Sequence, residues 1–388
     1  MALLIQGCNC TGTIMVNPHE AGPDGEIKDG PSSPYDGQNV AAELLWKSPQ
    51  THLSKVHALA AEGTTLYVSA DTGLYLFVLG STLQTRCSAP SGGTAYPILA
   101  PATLDGAGNA YFSRANQQCL SSIDSGCQAR WNLSGLDYFN CKAASDTQPV
   151  LLPGGSQVVV ATSADTTGAA HIWGVNTADG SKAWEEVLAG HSITRSLTAS
   201  SGGTIYVGTK SSGIGVLYTL SSSSTTPVEL FKAAEFHAPG LVLADNTFVI
   251  GDWNMNLHAV SSSGSSVWKG SPGGRIVSAP VEQSGVVLVA ASLFGVYTHG
   301  VAGGPNWDYK ISKVNYSGVA VDSAGVVYVG SVGDCSGGGT GGCVFAVKGG
   351  HKVWAYGTER PVDATPLVHN AMVIVGDQGG TIYALKAN

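Results

Sequence analysis

Charged and hydrogen-bonding residues stand in short polar segments, each just ahead of an apolar run. The five that could form a site together are Arg195, His237, Arg275, Tyr316 and Asp363. Guanidinium groups bind carboxylate and phosphate oxygens through paired hydrogen bonds, and a phenol, an imidazole and a carboxylate can complete a site for an anionic or sugar-like ligand. The same residues could instead form a polar rim, with Asp146, Glu235 and Asp363 as partners of the cations. Both interpretations require a fold that brings these segments together.

The eight cysteines are the second group with possible chemistry. Two pairs each flank a seven-residue segment, so a disulfide bond in each pair would close a local loop. A third pair follows the first two apolar hairpins of the chain. Zinc sites need CxxC spacing or histidine partners, which these cysteines lack. We therefore predict an oxidising compartment and three disulfide bonds: Cys119–Cys127, Cys335–Cys343 and Cys87–Cys141.

The N-terminal segment Leu3-Leu-Ile-Gln-Gly-Cys8 resembles the end of a bacterial lipoprotein signal, in which the cysteine becomes acylated. No basic residue precedes the apolar stretch, and the stretch is shorter than in secretory signals. The alternative is a plain tail whose Cys8 and Cys10 form a disulfide bond elsewhere. Residues 11–42 are rich in Gly, Pro, Asp and Asn, which indicates an irregular tether or extension. Residues 1–42 are thus predicted as a tail, with membrane attachment through a lipidated Cys8 as one alternative.

A repeat in the sequence predicts the strands that must position these polar residues. Eight times the chain shows an apolar run, a polar or Gly-containing turn and a second apolar run. The repeat recurs at steps of 39 to 48 residues, counted at Tyr67, Tyr111, Val159, Tyr206, Val249, Leu288, Tyr328 and Ile374. A period in this range with paired β-runs is typical of a propeller blade. Propellers host many activities, so the fold by itself names no reaction.

Four strands can be counted in each repeat unit. A short run with Pro or a small residue near its start precedes each hairpin, and a run that often carries an aromatic residue follows it. These aromatic residues, which we expect to pack between blades, are Trp131, Trp184, Phe231, Trp268, Trp307 and Trp354. The eighth unit lacks its last strand, and residues 43–47 have the pattern of such a strand. The sequence thus predicts an all-β, eight-bladed β-propeller over residues 43–388, closed by an N-terminal strand.

The repeat resembles that of the quinoprotein-like (PQQ-repeat) propeller family. The matching segments are Ile205-Tyr-Val-Gly208, Asp377-Gln-Gly-Gly380, Ile382-Tyr-Ala-Leu385, and Thr177-Ala-Asp-Gly180 ahead of Trp184. In propellers the loops that enter the innermost strands converge on a central channel, so the five polar residues are expected at its mouth. The dehydrogenases of this superfamily bind a quinone at that mouth. The quinone stacks on a disulfide between adjacent cysteines, beside an Asp that acts as base and a carboxylate that binds calcium, so the resemblance implies a site of this kind. This sequence has no adjacent cysteines, so we predict no cofactor.

Composition and motifs argue against several classes of function. Charged residues are 12% of the chain, the net charge is −8 and no basic stripe is present, which argues against nucleic-acid binding. The sequence lacks a run of 18 apolar residues and the motifs of serine hydrolases, zinc proteases, P-loop enzymes and EF-hands. Aspartates recur at hairpin turns, where satisfying the turn backbone is favoured over binding calcium. They are Asp71, Asp165, Asp252, Asp334 and Asp377.

The leading hypothesis is a non-enzymatic propeller, secreted or in the cell envelope, that acts as a protein–protein interaction scaffold. The chain resembles the small quinoprotein-like propellers of outer-membrane assembly lipoproteins. That resemblance implies another envelope or surface protein as partner, and a location in the bacterial periplasm, outer membrane or cell surface. One alternative is an enzyme or sensor that binds a sugar or quinone at the channel mouth. The other is a structural or adhesive component of the cell surface.

Overall fold

The computed structural model describes residues 41–48, 53–90, 97–114, 118–134, 146–222, 224–311, 313–333, 335 and 341–387. Within these residues the chain forms 32 strands in eight four-stranded sheets. The sheets are antiparallel and follow one another around a ring. The fold is therefore an eight-bladed β-propeller, as the repeat predicts.

The first four blades follow a single strand, β1 (Leu44–Lys47). Blade 1 contains β2 (Val56–Glu62), β3 (Thr65–Ala70), β4 (Gly73–Val78) and β5 (Gln84–Pro90). Blade 2 contains β6 (Thr103–Leu104), β7 (Ala110–Phe112), β8 (Gln118–Ile123) and β9 (Ala129–Ser134). Blade 3 contains β10 (Val150–Leu151), β11 (Gln157–Ala161), β12 (Ala169–Asn176) and β13 (Lys182–Ala189). Blade 4 contains β14 (Leu197–Ala199), β15 (Thr204–Gly208), β16 (Gly215–Ser221) and β17 (Ser224–Ala233).

The other four blades repeat this order of strands. Blade 5 contains β18 (Leu241–Val242), β19 (Phe248–Gly251), β20 (Leu257–Val260) and β21 (Ser266–Gly270). Blade 6 contains β22 (Val281–Gln283), β23 (Val286–Ala291), β24 (Gly295–Gly300) and β25 (Pro305–Lys310). Blade 7 contains β26 (Val319–Val321), β27 (Val327–Ser331), β28 (Gly342–Lys348) and β29 (His351–Thr358). Blade 8 contains β30 (Leu367–His369), β31 (Met372–Gly376) and β32 (Ile382–Lys386), and takes β1 as its fourth strand.

Burial depends on the position of a strand within its blade. Every residue of β27, the second strand of blade 7, is buried, because both faces of that strand lie against neighbouring blades. The outermost strand β25 is exposed or half-exposed along its whole length. The apolar clusters accordingly extend from one blade to the next: Tyr328 and Val344 of blade 7 pack with Val373 and Tyr383 of blade 8. The core is thus a series of layers between blades.

Strand β1 closes the ring. It pairs antiparallel with β32, with Leu44 opposite Leu385 and Lys47 opposite Tyr383. Trp46 is 8% exposed and belongs to an apolar cluster that includes residues of blade 1 and of blade 8. The prediction that residues 43–47 complete the last blade is therefore confirmed, and no blade is left with an open edge at this point of the ring.

Tryptophans of the outermost strands join neighbouring blades. The indole N–H of Trp131, on β9 of blade 2, donates to the backbone oxygen of Thr177 in blade 3 at 3.0 Å. Its ring covers Gly180, where φ is +75° and an added β-carbon would lie 2.8 Å from the indole. Trp268 of blade 5 makes the same kind of bond to Val301 of blade 6, at 2.8 Å. These rings therefore pack between blades, as expected from the sequence.

Asp165, Asp252 and Asp377 satisfy the backbone of their own turns, while Asp71 bonds the imidazole of His57. Asp377 Oδ1 accepts hydrogen bonds from the backbone N–H groups of Gly379 and Thr381 at 2.8 and 3.0 Å. Its other oxygen accepts the hydroxyl of Tyr383 at 3.1 Å. Asp165 and Asp252 make comparable bonds within their turns, while Asp334 lies outside the described residues. The donors around these carboxylates are turn N–H groups and neighbouring side chains, which agrees with the favoured interpretation of turn chemistry.

The disulfide bonds confirm one predicted pair and correct the other two. Cys335 is bonded to Cys343, as their spacing predicts. Cys127 is bonded to Cys87, so the predicted pairs Cys119–Cys127 and Cys87–Cys141 are wrong. Cys87 lies on β5 of blade 1, and the ring brings it beside the turn between β8 and β9 of blade 2, with the two Cα atoms 6.1 Å apart. The side chain of Cys119 lies outside the described residues, as do Cys8, Cys10 and Cys141.

The inter-blade disulfide is expected to contribute more stability than the local one. By loop-closure entropy, a bond across 40 residues contributes about 4 kcal/mol and one across 8 residues about 2.5 kcal/mol. We expect Cys87→Ala/Cys127→Ala to lower the free energy of unfolding by about 3–4 kcal/mol in denaturant titrations under oxidising conditions. Under reducing conditions the gap between this variant and the wild type should close. A loss below about 1 kcal/mol in the oxidised comparison would contradict the stabilising role of this bond.

Candidate functional site

The loops that lead into the innermost strands and the turns between second and third strands meet at one end of the ring. Within blade 4, Ser192 and Lys210 exchange backbone hydrogen bonds of 3.0 and 2.9 Å across these two segments. In blade 6, the N–H of Ser292 donates to the oxygen of Arg275 at 2.8 Å. We call this end of the propeller the loop face. It carries all five of the polar residues singled out from the sequence.

A cavity of about 380 Å³ opens on the loop face, and all eight blades contribute to its wall. Its polar lining includes Lys55, His57, Asp146, Gln148, Arg195 and Asp363. Apolar side chains such as Leu59, Leu99, Val277 and Val281 form much of the remaining wall. From β2, His57, Ala58 and Leu59 all contribute to the wall. The cavity is therefore the central channel of the propeller.

Three of the five predicted site residues line this cavity: Arg195, Tyr316 and Asp363. The Arg195 guanidinium lies 5.8 Å from the centre of the Tyr316 ring, although the two residues belong to blades 4 and 7. Its Nε is 3.9 Å from Asp146 Oδ2, while its backbone N–H donates to the other oxygen of Asp146 at 3.3 Å. Arg195 therefore pairs with an acid as the polar-rim interpretation expects.

Asp363 is held by two donors to one of its oxygens. Lys55 Nζ and Gln378 Nε2 both donate to Asp363 Oδ2, at 2.8 and 2.6 Å. Asp363 Oδ1 is buried without a hydrogen-bond partner. Sequence reasoning missed Lys55, although its position directly ahead of the apolar run of β2 matches that of the other site residues.

The electrostatic balance of the cavity is close to neutral. Lys55 and Arg195 face Asp146 and Asp363, two charges of each sign. Burial lowers the pKa of His57, in spite of its hydrogen bond to Asp71, so this imidazole is neutral near pH 7. Burial raises the pKa of Asp146, and the nearby Arg195 opposes that rise. The lining is therefore not suited to concentrating ligands of one strong charge.

The other two predicted residues, His237 and Arg275, form a separate stack on the loop face. The guanidinium of Arg275 lies 4.0 Å from the centre of the Trp253 ring, and the ring of His237 lies 4.2 Å from it. His237 Nε2 bonds Glu235 at 3.1 Å, and the N–H of Gly213 in blade 4 donates to the same carboxylate at 2.9 Å. The sequence analysis did not single out Trp253. A large aromatic residue in a hairpin turn was the feature that could have identified it as part of a site.

Three exposed apolar side chains occupy equivalent turns of neighbouring blades on the loop face. Ile214, Met255 and Leu293 are 56%, 45% and 76% exposed, and each lies at or beside the turn between the second and third strands of blade 4, 5 or 6. We call these three residues the apolar arc. The half-exposed ring of Tyr316, which precedes the innermost strand of blade 7, continues it. Other exposed large apolar residues in the described part of the chain lie on outermost strands: Leu44, Leu45, Val187, Val228 and Val267.

Comparison with known proteins identifies a fold and no family. No protein-family model matches the chain, and no curated protein matches its sequence. BamB from Moraxella catarrhalis matches with a TM-score of 0.67 at 12% identity, over 89% of this chain and 100% of that chain. The quinohemoprotein alcohol dehydrogenase from Comamonas testosteroni matches with a TM-score of 0.67 at 11% identity, over 90% and 77% of the two chains. The C-terminal WD40 domain of Sif2 gives 0.68 at 11% identity, over 90% and 99%.

These similarities show the β-propeller fold. At such low identity they do not transfer an activity. The quinone that the resemblance implies finds little support in the residues of the cavity, because the sequence has no adjacent cysteines and the cations of the lining, Lys55 and Arg195, already pair with Asp363 and Asp146. In the described residues there is no cluster of three or more His, Cys, Asp or Glu side chains arranged to hold a metal ion. The same part of the chain contains no helix long and apolar enough to cross a membrane.

Proposed function

We propose that this chain is a non-enzymatic β-propeller, secreted or attached to the cell envelope, that binds a partner protein through the loop face of blades 4–6. The observation that carries the proposal is the apolar arc. Its three side chains project from equivalent turns of three consecutive blades. Exposed apolar side chains that share one face of a folded domain are typical of a protein-interaction site.

Backbone conformation strengthens the argument, because two of the three residues occupy unfavourable positions. Met255 and Leu293 both have φ of +64°, in the left-handed region. That region costs an L-residue with a large side chain about 1–2 kcal/mol, and Gly or Asn usually occupies it. Large apolar residues that are both strained and exposed bring no packing gain to the isolated fold. Their presence is accounted for by contacts that form when a partner binds.

The compartment is proposed on the disulfide bonds. Two bonds join Cys87 to Cys127 and Cys335 to Cys343, and such bonds persist mainly in extracytoplasmic proteins. Acylation of Cys8, which lies outside the described residues, would attach the propeller to a membrane by its tail. The partner is then another envelope or surface protein.

The proposal predicts a specific effect of replacing the strained apolar residues. Asn tolerates the left-handed conformation and is polar, so Leu293→Asn/Met255→Asn removes two of the three side chains of the apolar arc while it relieves strain. Peptides selected from a phage-displayed dodecapeptide library on the wild type should bind it saturably and bind the variant at least tenfold more weakly. The free energy of unfolding of the variant should be unchanged or about 1 kcal/mol higher.

The matched control is Val228→Ser, which removes an equally exposed apolar side chain from the outermost strand β17. This control should bind the selected peptides as the wild type does. If the library yields no saturable binder, or if the binders do not distinguish the Leu293→Asn/Met255→Asn variant from the control, the proposed function is wrong.

A further inference from the structure

We infer that the partner segment recognised by this face is acidic, with carboxylates interspersed among apolar side chains. The inference rests on the proposed function and adds the chemistry of its ligand. It follows from the cations that accompany the apolar arc, from the state of the neighbouring acids, and from the way in which one cation is held.

Each apolar residue of the arc has a cationic residue near it. The cation is either a few residues away in sequence or next to a segment that is joined to the arc by a backbone hydrogen bond or a ring contact. Lys210 precedes the turn of Ile214, in which the N–H of Ser211 donates to Ile214 at 2.8 Å. Leu293 donates its N–H to Val314, the residue after Lys313, at 2.9 Å. Arg275 lies over Trp253, which shares a turn with Met255. Apolar and cationic groups therefore alternate around this part of the ring.

These three cations are available to a partner. Within the described residues no carboxylate oxygen lies within 4.0 Å of Lys210, Arg275 or Lys313, whereas other cations of the chain, such as Lys55 and Lys386, are paired. The chain as a whole has a net charge of −8, so three cations without such a partner, beside exposed apolar side chains, are a distinctive feature of this face. A surface of this kind attracts an acidic partner.

Two acids on the same loops, Asp252 and Glu235, offset part of this charge, but their oxygens are already occupied by hydrogen bonds. Asp252 is buried, and its oxygens accept hydrogen bonds from Asn256 and His258. Glu235 accepts bonds from the N–H of Gly213 and from His237. Hydrogen bonds of this kind lower the pKa of both carboxyls, so both are ionised at neutral pH, but their oxygens are already engaged. An approaching partner therefore meets cations with free donors and anions whose oxygens are engaged.

Arg275 is held in a way that suits carboxylate recognition. Its guanidinium lies over the face of Trp253 at 4.0 Å, and Trp253 is supported by His237 at 4.2 Å. A guanidinium stacked on an aromatic ring keeps its edge of N–H donors free for a bidentate carboxylate, and stacking reduces the freedom lost on binding. Arg275 is exposed, so a partner carboxylate can reach that edge.

An anionic membrane is the other partner that apolar and cationic groups can bind. The protein segment is favoured because three cations are fewer than the roughly four to eight basic residues of a typical membrane-binding cluster. The fixed, stacked position of Arg275 also matches a specific carboxylate better than a fluid layer of headgroups.

The test uses the peptides selected on the wild-type protein. We expect enriched sequences to combine Asp or Glu with Leu, Ile or Phe, and their affinity to fall at least tenfold between about 50 and about 500 mM NaCl. Arg275→Glu and Lys313→Glu should each weaken binding at least tenfold. Peptides in which Lys replaces each acidic residue should bind the Arg275→Glu variant more tightly than they bind the wild type, because the charges on both sides are then reversed. Lys269→Glu, an exposed cation on the outermost strand β21, makes the same change of net charge and should have no effect.

Two outcomes would overturn the inference. Selected peptides that are neutral or basic and insensitive to salt, yet fail to bind Leu293→Asn/Met255→Asn, would refute the acidic partner and leave the proposed function standing. The second outcome is that the library yields no binding peptide, while the wild type sediments with vesicles of phosphatidylcholine and phosphatidylglycerol. If Arg275→Glu and Leu293→Asn/Met255→Asn both abolish that sedimentation, the face binds a membrane instead. Loss of thermal stability in Arg275→Glu would leave Lys313→Glu, outside the Trp253 stack, as the deciding variant.

Discussion

A variant that lacks residues 1–48 is expected to be insoluble or largely unfolded at temperatures at which the full chain is folded. The deletion removes β1, so the backbone groups of β32 that pair with Leu44, Trp46 and Lys47 become an unpaired edge. It also removes Trp46 from the cluster between blades 8 and 1. An unpaired edge strand favours aggregation, and the loss of one buried Trp by itself costs about 3–5 kcal/mol.

The matched control removes residues 1–40 and keeps every described strand. We expect this shorter deletion to leave the thermal midpoint within a few degrees of that of the full chain in circular dichroism. The single replacement Trp46→Ala should fall between the two deletions, at a loss of about 3–5 kcal/mol in denaturant titrations. Equal thermal midpoints for the two deletions would show that β1 does not hold the ring closed.

The ring was predictable because its signal is repeated. Eight copies of one hairpin pattern at similar spacing identify the blades, and the pattern of residues 43–47 identifies the missing strand of the last one. The spacing of Cys335 and Cys343 gave their bond correctly, because both partners lie at the ends of one loop. Each of these inferences depends on residues that are close in sequence or on a regular period.

The bond between Cys87 and Cys127 shows where such inference fails. Sequence spacing favours the shortest loop, and Cys119 is nearer in sequence to Cys127 than Cys87 is. The observed pair depends on how the outermost strand of blade 1 lies against a turn of blade 2, which no local pattern encodes. Contacts between blades are set by the twist and packing of whole sheets.

The candidate site was predictable in part for the same reason. Arg195, Tyr316 and Asp363 occur just ahead of innermost strands, and the ring brings them to one cavity. Arg275 has the same sequence position, but its guanidinium lies over the Trp253 ring of the neighbouring blade, and it does not line the cavity. The apolar arc escaped notice because a Leu or Met in a polar turn draws attention only once its φ and its exposure are known.

Replacement of one buried turn aspartate should destabilise the propeller far more than replacement of another at an equivalent turn. Asp322 joins the first and second strands of blade 7, and its Oδ1 accepts the N–H groups of Ala324 and Val326, both at 2.9 Å. Its Oδ2 accepts the hydroxyl of Tyr328 at 2.7 Å, inside the core. Asp322→Ala leaves three donors without this acceptor, two of them buried, so at about 1–3 kcal/mol for each buried donor we expect a loss of about 2–6 kcal/mol.

Asp245 occupies the corresponding turn of blade 5 and provides the control. It is exposed, and its carboxylate caps the N–H of Thr247 at 2.9 Å. Asp245→Ala should cost about 1 kcal/mol, because water can replace a bond at the surface. Tyr328→Phe, which removes a single donor, should fall between the two aspartate variants. If Asp322→Ala and Asp245→Ala lose similar amounts of stability in denaturant titrations, the prediction is wrong. The loss would then come from the turn geometry that the two sites share, and the buried donors would contribute nothing further.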